Sequence, residues 1–494
     1  MKNSLFAVTL LAVPAFVLTA AQAQDRESVT IGMQQEPTVL DPTADATASI
    51  DTITAHNIYE SLITVTEAGE IRPQLAESWI VSEDGLVYTF DLRDGVTFHD
   101  GTTFDSADVK FTFDRAMAED STNPSKGIFA PVASVETPDA DTVVVTLKNP
   151  DAFFLFNIAQ GDASIVAPES AETNTTNPVG TGPYRFDSWT RGDRLTLKAD
   201  PGHRDYSDAV IDTVTFRFVA DPAAAVAALL AEDIDAFPGM PAPETLEQFK
   251  ADPRYDVVIG TTEGEVILAL NNSKPPFDDI RVRRAINHAL DRQAIIDAAY
   301  FGYGTPIGSF FAPHHQSYVD LTGVYPLDIE KARALLAEAG AENLEVSLRL
   351  PHFPYARRSG EIIQAQLAEA GIDVNIENVE WAFWIGEVYR NKACDMTIIA
   401  HTSPNDLGNF ARGPDYFYGY DNPEFTELWN RIRTEADPRQ LDALLKEGQH
   451  FVTDEAVHGF LFQLPKLGVY DKDLAGYWQS SPVLFAPLSE LRWN

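Results

Sequence analysis

The residues able to do chemistry in this chain are many, but few of them stand in a catalytic arrangement. There is no Gly-x-Ser-x-Gly elbow, no His-Glu-x-x-His and no Cys-x-x-Cys. Asp and Glu total 74 against 36 Lys and Arg, so neighbouring carboxylates arise by composition and carry no meaning without geometry. His314 and His315 are adjacent in a Pro-flanked loop, without the helical spacing or companion ligands of a metal site. The single cysteine, Cys394, stands at the entrance to the apolar run Met396–Ile399, which suits a buried inert thiol better than a nucleophile. With one cysteine, no internal disulfide forms. No cofactor and no metal is expected. What remains is binding chemistry. Trp381, Phe383 and Trp384 crowd three aromatic rings into four positions, and Tyr416-Phe417-Tyr418-Gly419-Tyr420 adds a second cluster. A helix cannot bury all three of the first set on one stripe, so Trp381 or Trp384 is a candidate pocket floor, by apolar contact or cation–π attraction. Tyr416 and its neighbours either stack on a ligand or pack against the helix that follows Pro423.

These residues follow the ends of strands. From Asp328 onward, helical and strand patterns alternate: Asp328–Ala339 before Gly340, Leu344–Leu350, Arg358–Ala370 before Gly371, Val374–Val379, a helix after Trp381, and Asp395–Ala400. Such alternation predicts a mostly parallel sheet with helices on its faces, whose ligands sit beyond the carboxyl ends of the strands. Three loops are thereby singled out. They follow Leu350 (Pro351 to Arg358), Val379 (Trp381 to Trp384) and Ala400 (His401, Thr402, Asp406).

The run Glu265–Ala299 reads as an all-apolar strand, a stiff Pro275-Pro276 connection and a helix capped by Asp278 or Asp279, with Asp291 capping the next. It reads either as the crossing from one body to a second, near Lys274, or as a strand-to-helix loop within one. Earlier, Glu67–Leu147 is rich in short alternating strands with one helix near Ser106–Ala118, while Gly180-Thr181-Gly182-Pro183 is a tight turn without the residues of a phosphate cradle.

The segments PQLAESWIVSEDGLVYTFDLRDGVTFHDGTTFDSADVKFTFDRA (Pro73–Ala116), NPVGTGPYRFDSW (Asn177–Trp189), KPPFDDIRVRRAINHALDR, ARALLAEAG and IIQAQLAEAGIDVNIENVEW resemble, in order, signatures of the peptide/nickel-type (family 5) solute-binding proteins of bacterial ABC importers. The resemblance implies a two-lobed α/β periplasmic-binding-protein fold (type II, cluster C-like) with an extra β-rich subdomain and a two-crossing hinge. It places residues 24–57 and 168–273 in lobe I, 58–167 in the subdomain, 274–462 in lobe II and 463–494 back on lobe I. It implies a small-molecule ligand, a short peptide or peptide-like solute. It also implies an ABC permease as partner, a monomeric state and no enzymatic activity. By the same resemblance the loop after the first strand faces the cleft, which makes Glu36 either a ligand contact or a turn residue. Arg358 stands where dipeptide binders receive the ligand carboxylate; its other reading is the solvent-side opening of a helix. Those relatives carry Trp-x-x-Asp after the strand ending at Ala400, whereas here His401 and Pro404 occupy the Trp and Asp places. Asp406 substitutes only if the loop is rebuilt. That departure keeps an opine, an oligosaccharide or a metal chelate open as ligand, with a secreted hydrolase or a chaperone-like holder of unfolded chains as remoter readings.

Length and charge agree with this. A chain of 494 residues is expected to form two or three bodies. The formal charge of −38 argues against a nucleic-acid partner and suits a solvated acidic surface. Lys2, the apolar Leu5–Leu18 and Ala21-Gln22-Ala23 read as a cleavable export signal ending at Ala23, with no cysteine there for a lipid anchor.

Overall fold

The computed structural model describes residues 27–45, 47–207, 211–403 and 406–494. The expected export signal, and Pro404 and Asn405 of the loop after Ala400, lie outside the described residues. Two sheets organise the rest. The first has seven strands. Ser28–Met33 runs parallel to Thr213–Phe218 and Ala236–Phe237, and the antiparallel strands Arg194–Ala199, Tyr184–Thr190, Lys466–Asp471 and Tyr255–Gly260 extend the two edges. The second has six, in the order Thr305–Pro306, Gly459–Gln463, Glu265–Leu270, Met396–His401, Leu344–Leu350, Ile372–Asn378.

The strand Glu265–Leu270 is buried along its whole length, which is why it has no alternation. It lies between Met396–His401 and Gly459–Gln463 in the second sheet. The chain has therefore crossed before it, at Thr261–Gly264, and the expected crossing near Lys274 is corrected. A run buried on both faces marks a central strand but not the sheet that owns it. Pro275-Pro276 is a turn inside the second lobe. Asp279 caps Ile280–Ala289 through the amide of Arg281 at 2.8 Å, and Asp291 caps Arg292–Tyr300 through Ala294 at 3.0 Å. The mostly parallel sheet is also corrected. Its parallel pairings are the two that Leu344–Leu350 makes, with Ile372–Asn378 and with Met396–His401; the other three are antiparallel, because the strands beside the crossings enter and leave the lobe in opposite directions.

The β-rich segment forms a four-stranded antiparallel sheet, Ala76–Val81, Val87–Leu92, Thr142–Leu147 and Val132–Glu136, over a core that includes Phe90, Phe113, Phe129 and Phe154. Each such ring fully withdrawn from water contributes roughly 1.5–3 kcal/mol. Its helix Ser106–Met117 starts with a reciprocal capping box between Asp105 and Asp108. Gly180 and Gly182 pass so close to the backbone of Asn57 and Ile58 that a Cβ would lie 2.1 Å from the Ile58 oxygen and 2.4 Å from that of Asn57. The motif is a packing contact.

The chain returns between Gln463 and Lys466. The two crossings are bonded to each other: Leu464 N–H donates to the Gly264 carbonyl at 2.6 Å, the Thr262 hydroxyl to the Leu464 carbonyl at 2.5 Å, and the Gln463 amide to the Thr262 carbonyl at 2.8 Å. The tail joins them, Ser481 N–H donating to the Thr261 carbonyl at 2.8 Å. Gly260 allows this approach, since a Cβ there would lie 1.8 Å from the Gln479 oxygen.

Candidate functional site

Between the lobes, against the paired crossings, is a cavity of about 430 Å³. Lobe I supplies most of its wall: the end of the first strand through Gln35, the turn Phe237–Pro241, and the tail from Leu474 to Leu491. The crossings contribute Thr262, Glu263, Leu464, Pro465 and Lys466, and lobe II contributes Tyr300, Phe353, Pro354, Tyr355 and Thr402. The surface is chiefly aromatic and aliphatic with a few polar groups, the makeup of a small-molecule site.

Two ionisable side chains reach it from the hinge. Glu263, 5% exposed, is paired with His314 at 2.6 Å, and the other nitrogen of that ring meets the Gln463 amide at 2.8 Å. Because the amide donates, that nitrogen accepts and the proton sits on the one facing Glu263. His314 is thus a tie between the crossings, and its neighbour His315 packs edge-on to Phe311. Lys466 donates to the Trp478 carbonyl, and burial pushes its ammonium down to about 8.

Of the individual site residues the sequence singled out, Thr402 lines this cavity, and the loop after Leu350 adds Phe353, Pro354 and Tyr355. The others have different partners. Glu36 accepts from the Trp189 indole at 2.9 Å and from the Gly192 amide, closing a turn. Trp384 is 3% exposed, donates to the Thr397 hydroxyl at 2.9 Å, and stacks on Trp381 at 5.0 Å. Trp381 in turn meets the edge of Phe353, one layer behind the wall. Tyr416 is buried beneath the Arg412 guanidinium, 4.0 Å from its ring centre.

His401 bonds the Tyr418 hydroxyl at 2.7 Å and lies 3.8 Å from Asp406. Burial, then Arg412, lowers its pKa to about 3, so it is neutral and the contact with Asp406 is no ion pair. Asp406 accepts from the Ser403 amide at 2.9 Å and the Asn409 side chain at 2.8 Å, and burial raises it to about 6. Beside it, Glu265 is held well above the usual carboxylate range by burial and then by Asp406 and Glu263, and one of its oxygens is buried without a partner among the described residues.

Arg358 is not at the opening of its helix, which runs Pro354–Ala370 and so begins four residues before the expected start. Its guanidinium makes a two-pronged pair with Glu244 of lobe I at 3.0 and 3.1 Å, spanning one rim of the cleft. On the same rim the Tyr303 hydroxyl donates to Glu247 at 3.1 Å. On the opposite rim Arg433 pairs with Asp151, the Ala152 amide donates to the Arg433 carbonyl at 2.7 Å, and Phe153 stacks on Trp429 at 5.6 Å. The lobes therefore meet on both sides of the cavity.

Sequence reasoning missed Glu263, Lys466, the Phe237–Pro241 turn and the tail. One signal was available: Lys466 interrupts the otherwise apolar run Leu464–Tyr470, and a charge inside a buried strand asks for a reason.

Residues 70–423 match the family model described as bacterial extracellular solute-binding proteins, family 5. The glutathione-binding protein of Escherichia coli K12 is 28% identical over 486 residues, covering 94% of each chain. Among solved structures, the periplasmic binding protein associated with an ABC transporter of Helicobacter pylori, in complex with the peptide STSA, aligns with TM-score 0.86 and 25% identity over 94% of this chain and 98% of its own. A binding protein from Agrobacterium tumefaciens R10 in complex with agropinic acid aligns with TM-score 0.86 and 26% identity over 94% and 99%.

Proposed function

Because this chain belongs to family 5 of the bacterial extracellular solute-binding proteins, the solute-binding component of ABC importers, we propose that it captures a short peptide or peptide-like amino-acid conjugate between its lobes. Closed, it hands that solute to the transmembrane subunits of its importer and returns it unchanged, acting as a monomer exported by its N-terminal signal. No helix among the described residues is long and apolar enough to cross a membrane. The observation that carries the reading is the cavity at the hinge, walled by both lobes and the two crossings, with a carboxylate on one crossing and an ammonium on the other. A zwitterionic solute of amino-acid type matches that pair of charges.

Closure supplies the mechanism. A solute that touches both lobes shifts the population toward the closed form, and an almost complete swing needs roughly 5 kcal/mol of preference. Thr402, Phe353 and Tyr355 face the lobe I wall across the cavity, so a solute bound to lobe I gains its contacts with them through closure.

A second reading, an opine, is favoured by one observation. Asp406, the residue that would replace the amine partner of peptide binders, spends both oxygens on Ser403 and Asn409 and is absent from the cavity wall. Native mass spectrometry of the protein purified from periplasm decides between them. Peptide masses, as a ladder or as one peptide-like conjugate, are expected for the first reading and one opine mass for the second. A protein that carries nothing and shows no compaction in small-angle scattering with any added solute overturns both.

A further inference from the structure

Among the described residues the hinge lysine is a buried cation without a carboxylate partner. Lys466 opens the strand Lys466–Asp471 directly after the second crossing and is 7% exposed. An ammonium carries three N–H donors; here one has the Trp478 carbonyl, and no carboxylate of the described residues lies within 4.0 Å. The carboxylate whose charge favours it, Glu67, is itself taken up by the amides of Gln479 and Ser480. Around it the cavity wall is Phe237, Tyr470, Trp478 and Phe485. A buried cation in such surroundings is costly until an anion joins it.

We propose that Lys466 is the anchor for the solute's carboxylate, held at the back of the cleft on lobe I, where closure of the other lobe shuts it off from water. This rests on the reading that the interlobe cavity is the solute site. It makes the ligand class an organic acid with an apolar body, and it gives Lys466 the task that Arg358, engaged with Glu244, does not have in this structure. Because Lys466 belongs to the first lobe's sheet and to the hinge, the acid end of the solute docks before the lobes close. The opposite lobe then adds Thr402, Phe353 and Tyr355.

The test is titration calorimetry of wild type, K466R and K466M with glutathione, the dipeptide Met-Leu and Met-Leu C-terminal amide. Wild type is expected to bind at least one of the two acids and to bind the amide at least tenfold more weakly than Met-Leu if Met-Leu binds. K466M is expected to lose tenfold or more and K466R to keep most of the affinity. Wild-type affinity should also fall as pH rises past about 8, where the ammonium titrates, while K466M shows no such fall. The other ionisable groups facing this region, Glu67, Glu263, Tyr470 and Tyr477, remain in both proteins and serve as the control. If K466M melts below the working temperature, K466R and the pH profile of wild type carry the test. Acids bound equally by K466M, or a co-purified solute with no acidic group, overturn the anchor and leave the solute-binding reading intact. Failure of both acids to bind wild type also overturns the anchor, and mass spectrometry of the co-purified material then tests the broader reading separately.

Discussion

The two walls of the cleft contrast sharply. On the lobe II side stand the residues whose types and positions advertise binding: tryptophans after one strand, a histidine and an acid after another, an arginine in the second turn of a helix. Most of them are spent on one another. Trp384 is committed to Thr397, His401 to Tyr418, Asp406 to Ser403 and Asn409, and Arg358 to the far rim. The lobe I side advertises only Glu36, itself spent on Trp189 and Gly192, yet turn, tail and hinge segments far apart in sequence supply most of the cavity. Clustered aromatic and polar residues in one loop satisfy themselves locally, whereas a cavity wall needs contributions from many segments that leave a surface unspent.

The sharpest way to break that contrast is Trp384→Ala. If Trp384 is core, truncation costs about 3–5 kcal/mol of stability, read as a lower thermal midpoint, while the fraction still folded binds solute as before. Lost affinity with unchanged melting would return Trp384 to the pocket.

Its counterpart on the other wall is Tyr477→Ala. Tyr477 lines the cavity and stacks on Tyr470 at 3.8 Å. Here affinity is expected to fall about tenfold, equivalent to roughly 1.4 kcal/mol, with melting little changed. Unchanged affinity would move the solute away from lobe I.

The acids behind the lobe II wall predict a pH effect. Glu265 and Asp406 have pKa values raised in the fold, so the stability they contribute is present below their unfolded value of about 4. It is lost as pH rises through the folded value, near 6 for Asp406. E265Q, which removes the carboxyl with the unpartnered buried oxygen, should raise the thermal midpoint by a few degrees at pH 8, the gap closing toward pH 4. His401 works the other way: lowered to about 3, it costs stability as pH falls below about 6.5. A wild-type stability maximum shifted upward by E265Q would match these signs; an unchanged curve would not.

The smallest effect belongs to the rim. The Glu244–Arg358 pair is about a third exposed on each side, so it is worth about 0.2–1 kcal/mol and is weakened by salt. R358M is expected to tilt the lobes toward the open form by up to about fivefold, visible as a larger radius of gyration before solute is added. A loss of affinity far beyond that would make Arg358 a solute ligand.

The sequence was legible where physics is local. The Asp279 and Asp291 caps, the glycine helix ends at Gly340 and Gly371, and the strand ends before Phe353 and Thr402 all follow from neighbouring residues. Family 5 membership rested on motifs spread over the chain, and the two-lobed fold follows from it. What was not legible was ownership: the apolar strand Glu265–Leu270 suits either sheet, and only its pairing with Met396–His401 assigns it. Likewise nothing local brings Trp478 to Lys466, or Glu244 to Arg358 across 114 positions. The candidate cavity is a product of tertiary closure, and of the residues chosen by type most stand beside it rather than on its wall.

The hydrogen bonds joining Thr262, Gly264, Gln463 and Leu464, with Ser481 stitched to Thr261, make the two crossings one ribbon. Neither can slide without breaking the bonds to the other, an arrangement suited, under the proposed closure, to rotation about a single axis. On that proposal an importer would have one number to read, an angle, whatever the solute's shape. Solutes that differ in every contact would be reported to the membrane in the same form, and breadth of diet and fidelity of signal would then be set by separate parts of the chain.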